Sequence, residues 1–598
     1  MKVLLRLLPF IQKHAWAFWG GMFGLLIARV FEALIPLFVK EGVDAISAAQ
    51  AARGNADFDA TIWTDALVWP AIAIALCVIA QIIVTIISRI LIRRIGVYAA
   101  FDLRNRVYGH LQKQGPIFFS HFSVGDLMAR AINDILLVRE FIAGTIRTTL
   151  VLIFAATIGL SFMFSLSWQL TLAVLLPAPL ITFFAYAYSK RIYRQSQSVQ
   201  EGFSELSTFV QENLNGIRTV QAMAQEQGEI KRFTEVNTDF AGRNLRLFTT
   251  SSQLGAIMPV LAAISTIIIV GYGTMLLQSG AITLGTFAAF FSYLTLLLWP
   301  VREAGSLVTQ WQRGASGAAR LFELLDYEPE IKDNPTPNHP SLTGSIKIEG
   351  LDYRYENKDK FALQDINLDI QPGQTVAILG RVGSGKSTLL RLLVRLLKPT
   401  EGTILLDEHP IEDFPLAYLR EQVCLVLQDP FLFANSIGEN IAYDDPERQM
   451  DEILKSAEVA ALRSTIDEFP EGIHTELGER GVTLSGGQKQ RTALARGLVR
   501  MTPLLILDDC FSAVDTETEE HILAGLKEVR KGLTTMLVSN RVSTARHADE
   551  IIVLDEGRII ERGSHMALLE QGGFYAELEK KQRISESLKG ELAEMNDE

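Results

Sequence analysis

The chain has 598 residues, 48% of them hydrophobic, and a net charge of −12 from 56 Lys and Arg against 68 Asp and Glu. That length calls for more than one domain, and the apolar share points to a membrane. The acidic balance and the lack of any clustered Lys/Arg tract argue against nucleic acid as a partner, and three scattered cysteines, Cys77, Cys424 and Cys510, exclude a disulfide framework or zinc site and read as core residues.

Apolar residues are concentrated in the first half. Six stretches, Trp16–Val39, Ala66–Ile92, Thr145–Phe164, Leu170–Tyr188, Ala256–Leu277 and Thr283–Trp299, approach the roughly 20 residues that a helix needs to cross a hydrocarbon core. No small-residue cleavage site follows the first, which is therefore expected to stay as an anchor. Basic residues near segment ends remain in the cytoplasm. Arg93, Arg94, Arg104, Arg106, Lys113 and Arg130 place the second-to-third connection there, and Lys190, Arg191, Arg194, Arg218, Lys231 and Arg232 the fourth-to-fifth. Residues 42–65, with Asp44, Asp57, Asp59 and Asp65 against Arg53, then lie outside, and both termini are cytoplasmic.

The two long cytoplasmic connections lack the Pro/Gly/Ser richness of flexible loops and read as helical extensions. At their tips, "GPIFFSHFSVGDL" (Gly115–Leu127) and "VQENLNGIRTVQAM" (Val210–Met223) break the helical pattern. A short docking helix and an ordinary hairpin turn fit these tips equally. Arg29, Glu32 and Arg147 fall inside membrane segments, where charge is costly. Pairing between Arg29 and Glu32, three residues apart, and a polar cavity each account for them.

Composition changes at "YEPEIKDNPTPNHPSLTG" (Tyr327–Gly344), whose prolines forbid helix. This divides the chain into a six-helix membrane domain over 1–326, a linker over 327–344, an α/β nucleotide-binding domain over 345–582 and a charged tail over 583–598. Beyond the linker Ile346–Tyr355 alternates as a strand, Thr375–Leu379 is a buried strand, and a helix starts at Ser387. Between strand and helix, "GRVGSGKST" (Gly380–Thr388) fits the phosphate-loop pattern G-x-x-x-x-G-K-[ST]. Gly380, Gly383 and Gly385 let the backbone curl so that its N–H groups and a helix N-terminus face an anion. Lys386 is placed for the β- and γ-phosphates of ATP and Ser387 for Mg²⁺, with Ser384 and Thr388 completing the cradle. Further on, "LLIL" (Leu504–Leu507) is a buried strand delivering Asp508 to the Mg²⁺ shell and Asp509 to the attacking water.

With those motifs placed, "LSGGQKQR" (Leu484–Arg491) resembles the signature of ABC-transporter ATPase domains. The remaining family pieces follow in order. Tyr355 matches the aromatic that stacks on adenine, and Gln428 in "VLQDPFLF" the glutamine that senses Mg²⁺. "TELGERG" (Thr475–Gly481) resembles the exporter loop that touches the membrane domain, and "SAVD" (Ser512–Asp515) the loop that crosses to the other ATPase domain. Six membrane segments ahead of one such domain is the plan of half-size type IV ABC exporters, in which two halves make one transporter. The resemblance implies that each ATP lies between one chain's phosphate loop and the other chain's Ser485, Gly486, Gly487 and Gln488, with Asp515 nearby. It also implies that the two tips couple the domains.

Two residues depart from the family pattern. Asp509 stands where glutamate is usual, which withdraws the carboxylate by about 1.5 Å, and a misplacement of roughly 1 Å can cost about 10²-fold in rate. Asn540, in "LVSNRVST" (Leu537–Thr544), stands where the switch histidine is expected; an amide carries neither its proton nor its charge. His547 is no obvious replacement. The chain thus resembles the degenerate-site (MdlA-like) subunit of heterodimeric bacterial multidrug exporters, which implies a bacterial inner-membrane protein whose partner half supplies glutamate and histidine. A slow homodimer is the alternative. Many Phe, Leu and Ile residues suggest a hydrophobic or amphipathic small-molecule cargo. A lipid flippase is the second reading among transporters, and the lack of an N-terminal protease domain weighs against processed peptides. An ATP-gated channel would need a polar ion path or a regulatory insert, and the sequence has neither.

Overall fold

The apolar runs of the first half fold into helices far longer than a bilayer is thick. In the computed structural model, residues 2–52, 60–333, 340–356, 358–478, 481 and 483–584 are described; the middle of the acidic 42–65 connection, the proline-rich middle of the linker, Glu479 and Arg480 of the expected exporter loop and nearly all of the tail lie outside them. One unit comprises Met1–Gln112 with Ser123–Tyr327, the other Lys113–Phe122 with Glu328–Glu598.

In the first unit the principal helices are α1 (Ala15–Ala52), α2 (Ala60–Leu111), α3 (Ile146–Leu166), α4 (Ala178–Asn215), α5 (Glu226–Gln278) and α6 (Leu284–Leu325). At 1.5 Å per residue, the 52 residues of α2 span about 80 Å, well past a hydrocarbon core of about 30 Å. Five helical spans among the described residues are long and apolar enough to cross a membrane. The stretch expected at Thr283–Trp299 falls on α6, with Leu284–Leu297 as its apolar part among the described residues. The expected Leu170–Tyr188 helix is interrupted at Leu176–Pro177, because proline has no N–H to donate and ends the short helix Trp168–Leu175.

Packing in this unit rests on close approach and a few polar ties. A Cβ on Gly24 of α1 would lie 2.1 Å from Ser88 Oγ of α2, so any larger residue there would have to turn the Ser88 hydroxyl aside. The buried Tyr293 hydroxyl donates to Ala33 O at 2.7 Å, joining α6 to α1. Asp44 accepts from Gly285 N (2.7 Å) and Thr283 Oγ1 (2.9 Å) beyond the start of α6. Arg320 of α6 holds the buried Asp134, and Arg130 holds Glu323 at 2.9 Å. The extensions of α4 and α5 run as a pair clasped by Arg243, which bonds Glu205 and Asp239. The second tip forms the short helix Ile217–Ala222 between them.

The second unit holds an antiparallel sheet of β1 (Ile346–Tyr353), β2 (Leu363–Ile370), β4 (Glu401–Leu406) and β5 (His409–Pro410), in the order β2-β1-β4-β5. A six-stranded sheet takes β3 (Thr375–Gly380), β6 (Val423–Val426), β7 (Leu504–Asp508), β8 (Thr534–Val538), β9 (Glu550–Asp555) and β10 (Arg558–Gly563), in the order β10-β9-β3-β8-β7-β6. All its neighbours are parallel except β10 on β9. Its central strands are buried on both faces: Leu505, Leu507 and Leu537 pack with the helix Gly486–Leu498, while Ile506, Met536 and Val538 face the core shared with β1, β2 and the helix Lys386–Leu393. Covered parallel strands read as continuous apolar runs for this reason. Tyr355 lies just past β1, and the helix expected from Ser387 starts at Lys386.

Lys113–Phe122, from the first tip, belongs to this second unit. Its helix Pro116–His121 buries Phe118 completely, and the Glu330 carboxylate accepts from the Phe118 and Ile117 amides at the helix start. A short helix, rather than a bare turn, forms here.

Candidate nucleotide site

Parallel strands converge on a cavity of about 650 Å³ beyond the carboxyl ends of β3, β7 and β8, the place where open α/β sheets take ligands. The loop after β3 supplies Gly383, Ser384 and Gly385, and the following helix Lys386, Ser387 and Thr388. Gly385 sits at φ +104°, and a Cβ there would meet Ala362 O at 2.4 Å. Any other residue would break the turn that aims the helix N-terminus into the cavity. Gly380, at the end of β3, contributes its carbonyl: Lys386 Nζ donates to Gly380 O at 2.7 Å and to Arg381 O at 2.9 Å. Tyr355 forms a side wall, with its hydroxyl 3.0 Å from Thr388 Oγ1 and its ring edge-on to Tyr353.

β7 ends in Asp508, paired in register with Val538 of β8, so the carboxylate and the switch segment emerge side by side. Ser387 Oγ is 3.5 Å from Asp508 Oδ1. Burial raises the Asp508 carboxyl above its ordinary value; the Ser387 hydrogen bond pulls it back, and the Asp509 charge adds to the rise. Burial likewise raises Asp509, against the charges of Lys386 and Arg541, and lowers Lys386, against Asp509 and Asp508. A cation between these groups would relieve both aspartates.

Asp509 adopts φ +47° with its N–H donated to Val538 O at 2.8 Å, a left-handed turn that aspartate tolerates better than most residues. Its Oδ2 accepts from Gln428 Nε2 at 3.1 Å and lies 3.5 Å from Asn540 Nδ2. The short carboxylate is held between two amides, neither able to take up a proton near neutral pH.

Two buried polar atoms facing this site, Ser384 Oγ and Asn540 Oδ1, have no hydrogen-bond partner among the described residues. Together with the left-handed loop and the lysine, the Ser384 hydroxyl, a donor, fits a polyphosphate; Asn540 Oδ1 only accepts and adds no bond to it. A hydroxyl, an amide oxygen and a carboxylate at Ser387, Gln428 and Asp508 suit Mg²⁺, a hard cation that completes its shell with water and phosphate.

Ser485, Gly486, Gly487 and Gln488 do not line this cavity. Ser485 caps its helix reciprocally with Gln488. Gln490 of the same helix ties it to the next loop, donating to Ser512 Oγ at 2.8 Å and accepting from Ala513 N at 3.0 Å. Asp515 is exposed and caps the helix Thr516–Val529 by accepting from Thr518 N at 2.8 Å; that bond holds its carboxyl below the usual range.

The sequence reading missed three contributors. Lys358, Lys360 and Phe361 share the cavity wall with Tyr355, and the adjacent "KDKF" was the available signal. The buried Glu519 accepts from Arg541 at 2.9 Å and from Thr544, while Arg541 also reaches the carbonyls of Ser512 and Val514. Gln582 brackets the switch position, donating to Asn540 O and accepting from Val542 N, both at 2.8 Å. No local pattern marks these last two.

Comparison with known proteins agrees with this geometry. A family described as the ABC transporter transmembrane region matches residues 18–301, and one described as ABC transporter matches 363–512. The chain is 36% identical over 81% of its length, and 83% of the relative, to a probable multidrug resistance ABC transporter ATP-binding/permease protein, YheI, of Bacillus subtilis. It is 34% identical over 96% of its length, and 98% of the relative, to a putative multidrug export ATP-binding/permease protein of Staphylococcus aureus. A solved bacterial Atm1-family ABC exporter with ATP bound superposes with a TM-score of 0.77 at 27% identity, covering 96% of this chain and 98% of that one. The ATPase domain implies ATP binding and hydrolysis coupled to transport, and the apolar helices make this an integral membrane protein. The chain belongs to the ABC transporters, as a half-size exporter with its membrane and ATPase domains in one polypeptide.

Proposed function

We propose that this chain is the weakly hydrolysing half of a heterodimeric exporter of hydrophobic or amphipathic compounds. It spans the bacterial inner membrane six times, with the ATPase domain and both termini in the cytoplasm. The observation that carries the reading is Asp509, one methylene short and held by Gln428 and Asn540 where glutamate and histidine are expected. Two departures at one spot are harder to reconcile with a fast site than either alone.

The phosphate loop and Lys386 bind ATP, and Tyr355 supports adenine. Mg²⁺ held by Ser387, Gln428 and Asp508 supplies charge neutralisation at the phosphates. Asp509 orients water poorly, so ATP stays bound here and keeps the two ATPase domains together. The chain's Ser485, Gly486, Gly487, Gln488 and Asp515 serve the other site, where the partner contributes glutamate and histidine. Closure reaches the membrane helices through the two tips. Multidrug names among the relatives support the cargo class, and one organism carries at least three similar chains, YknU, YheI and YknV, from which pairs could be drawn.

Copurification from the native membrane tests this. The proposal expects a second half-exporter with glutamate and histidine at the positions of Asp509 and Asn540, and ATP-dependent uphill dye movement in vesicles containing the pair. A chain that purifies only with itself and pumps as fast overturns the heterodimer. Passive ion conductance gated by ATP overturns the exporter.

A further inference from the structure

The membrane unit holds a half-open cavity of about 540 Å³ between α1, α2, α3 and α6, a volume suited to a drug-sized molecule. Its walls are mainly apolar, with Ile35 and Leu296 among them, yet Arg29, Arg89 and Arg147 all face it. Among the described residues one carboxylate, Glu32, accompanies these three guanidiniums, a balance of +2. Glu32 is taken by Arg29 through an ion pair. Among the described residues Arg89 and Arg147 have no such partner: Glu140, whose charge acts on Arg147, pairs with Arg139, and Arg147 makes only a 3.5 Å contact to Thr148. Pairing and a polar cavity, the two accounts of these charges, are thus both present, and neither neutralises the site.

Arg147 is half-buried and Arg89 exposed, and guanidiniums without a carboxylate partner in a largely apolar cavity of a membrane domain mark functional sites. Their planar fork matches carboxylate, sulfonate or phosphate oxygens, and the surrounding apolar wall accepts a hydrophobic body. We infer that this cavity is an acceptor site for amphipathic anions, a single anionic group on an apolar body, with Arg89 and Arg147 as the anion ligands and Glu32 restraining Arg29. The inference rests on the exporter reading and narrows its cargo. A free amphiphile and the headgroup of an anionic lipid share this chemistry.

The test uses the exporter as purified from its membrane, in nanodiscs of phosphatidylcholine, with pyrenebutyrate, its uncharged methyl ester and pyrenemethylammonium as probes sharing one apolar body. Pyrenebutyrate is expected to bind about tenfold tighter than the ester and more tightly still than the ammonium. Arg89→Gln and Arg147→Gln each erase most of that preference while leaving ester binding in place, which separates ligand loss from misfolding. Glu32→Gln frees Arg29 and raises pyrenebutyrate affinity, a gain that a damaged fold cannot produce. Adding phosphatidylglycerol distinguishes the sources: competition assigns the site to a lipid headgroup, and its absence to a free amphiphile. Equal binding of acid and ester, or a preference unchanged in both arginine variants, overturns the inference. If it falls while ATP-driven dye movement in vesicles persists, the exporter reading stands without it.

Discussion

On the proposed reading the ATPase unit serves nucleotide with two ends, and they are in unlike condition. At the signature end, Ser485 and Gln488 cap each other, and Gln490 fixes the helix to Ser512 and Ala513, all with family-typical residues. At the phosphate-loop end the cradle residues line one cavity, and on the proposed reading Asp509 and Asn540 stand in for the pair that would activate water. Binding needs donors and a curled loop, which tolerate substitution beyond them; hydrolysis needs one carboxylate at one distance. A chain can therefore lose the second while keeping the first, and the retained signature is informative only if it serves a different site.

The largest way to break the contrast is Lys386→Ala. Removing the phosphate loop's ammonium should weaken ATP binding to the chain by about 10²-fold or more in equilibrium titration, since charge-assisted phosphate contacts dominate there. Unchanged affinity would mean the cradle does not hold the nucleotide. Ser485→Arg should cut turnover of the copurified complex by about 10²-fold while leaving ATP binding at this chain's own loop intact. Loss of both together would place the signature at its own chain's site.

Smaller effects sharpen the comparison. Glu519 is buried and receives Arg541, so Glu519→Gln strands that guanidinium and should lower stability by about 2–3 kcal/mol in denaturant titration. Gln582→Ala removes two bonds that bracket Asn540, and about 1 kcal/mol is expected. Asp508→Asn should raise the melting temperature of the nucleotide-free chain at neutral pH by about 2 °C, although it weakens the Mg²⁺ site. The sign follows from the raised folded-state carboxyl: the wild-type contribution is fully present below the ordinary aspartate value and is lost as pH rises through the folded value. The variant's advantage should therefore vanish in acid and grow with pH.

Much of this was legible in the chain itself. Gly380–Thr388, Leu504–Asp509 and Leu484–Arg491 are local motifs whose chemistry demands their spacing, and they landed where strand ends and helix starts place them. The membrane helices were readable from apolar length and their polar continuation from connections poor in Pro, Gly and Ser, but the contacts that hold α4 to α5, such as Arg243 with Glu205, were not. Pro177 interrupts one span that hydropathy ran together. The clasp of Gln582 on the switch and the docking of Phe118 beside Glu330 join residues far apart in sequence, and a single chain offers no local periodicity to reveal them.

ATP turnover of the purified, self-paired chain probes the idea of a bound but barely cleaved nucleotide most directly. Wild type and Asp509→Ala should be equally slow, and Asp509→Glu with Asn540→His should raise the rate by about 10²-fold. Brisk wild-type hydrolysis that Asp509→Ala abolishes would contradict it.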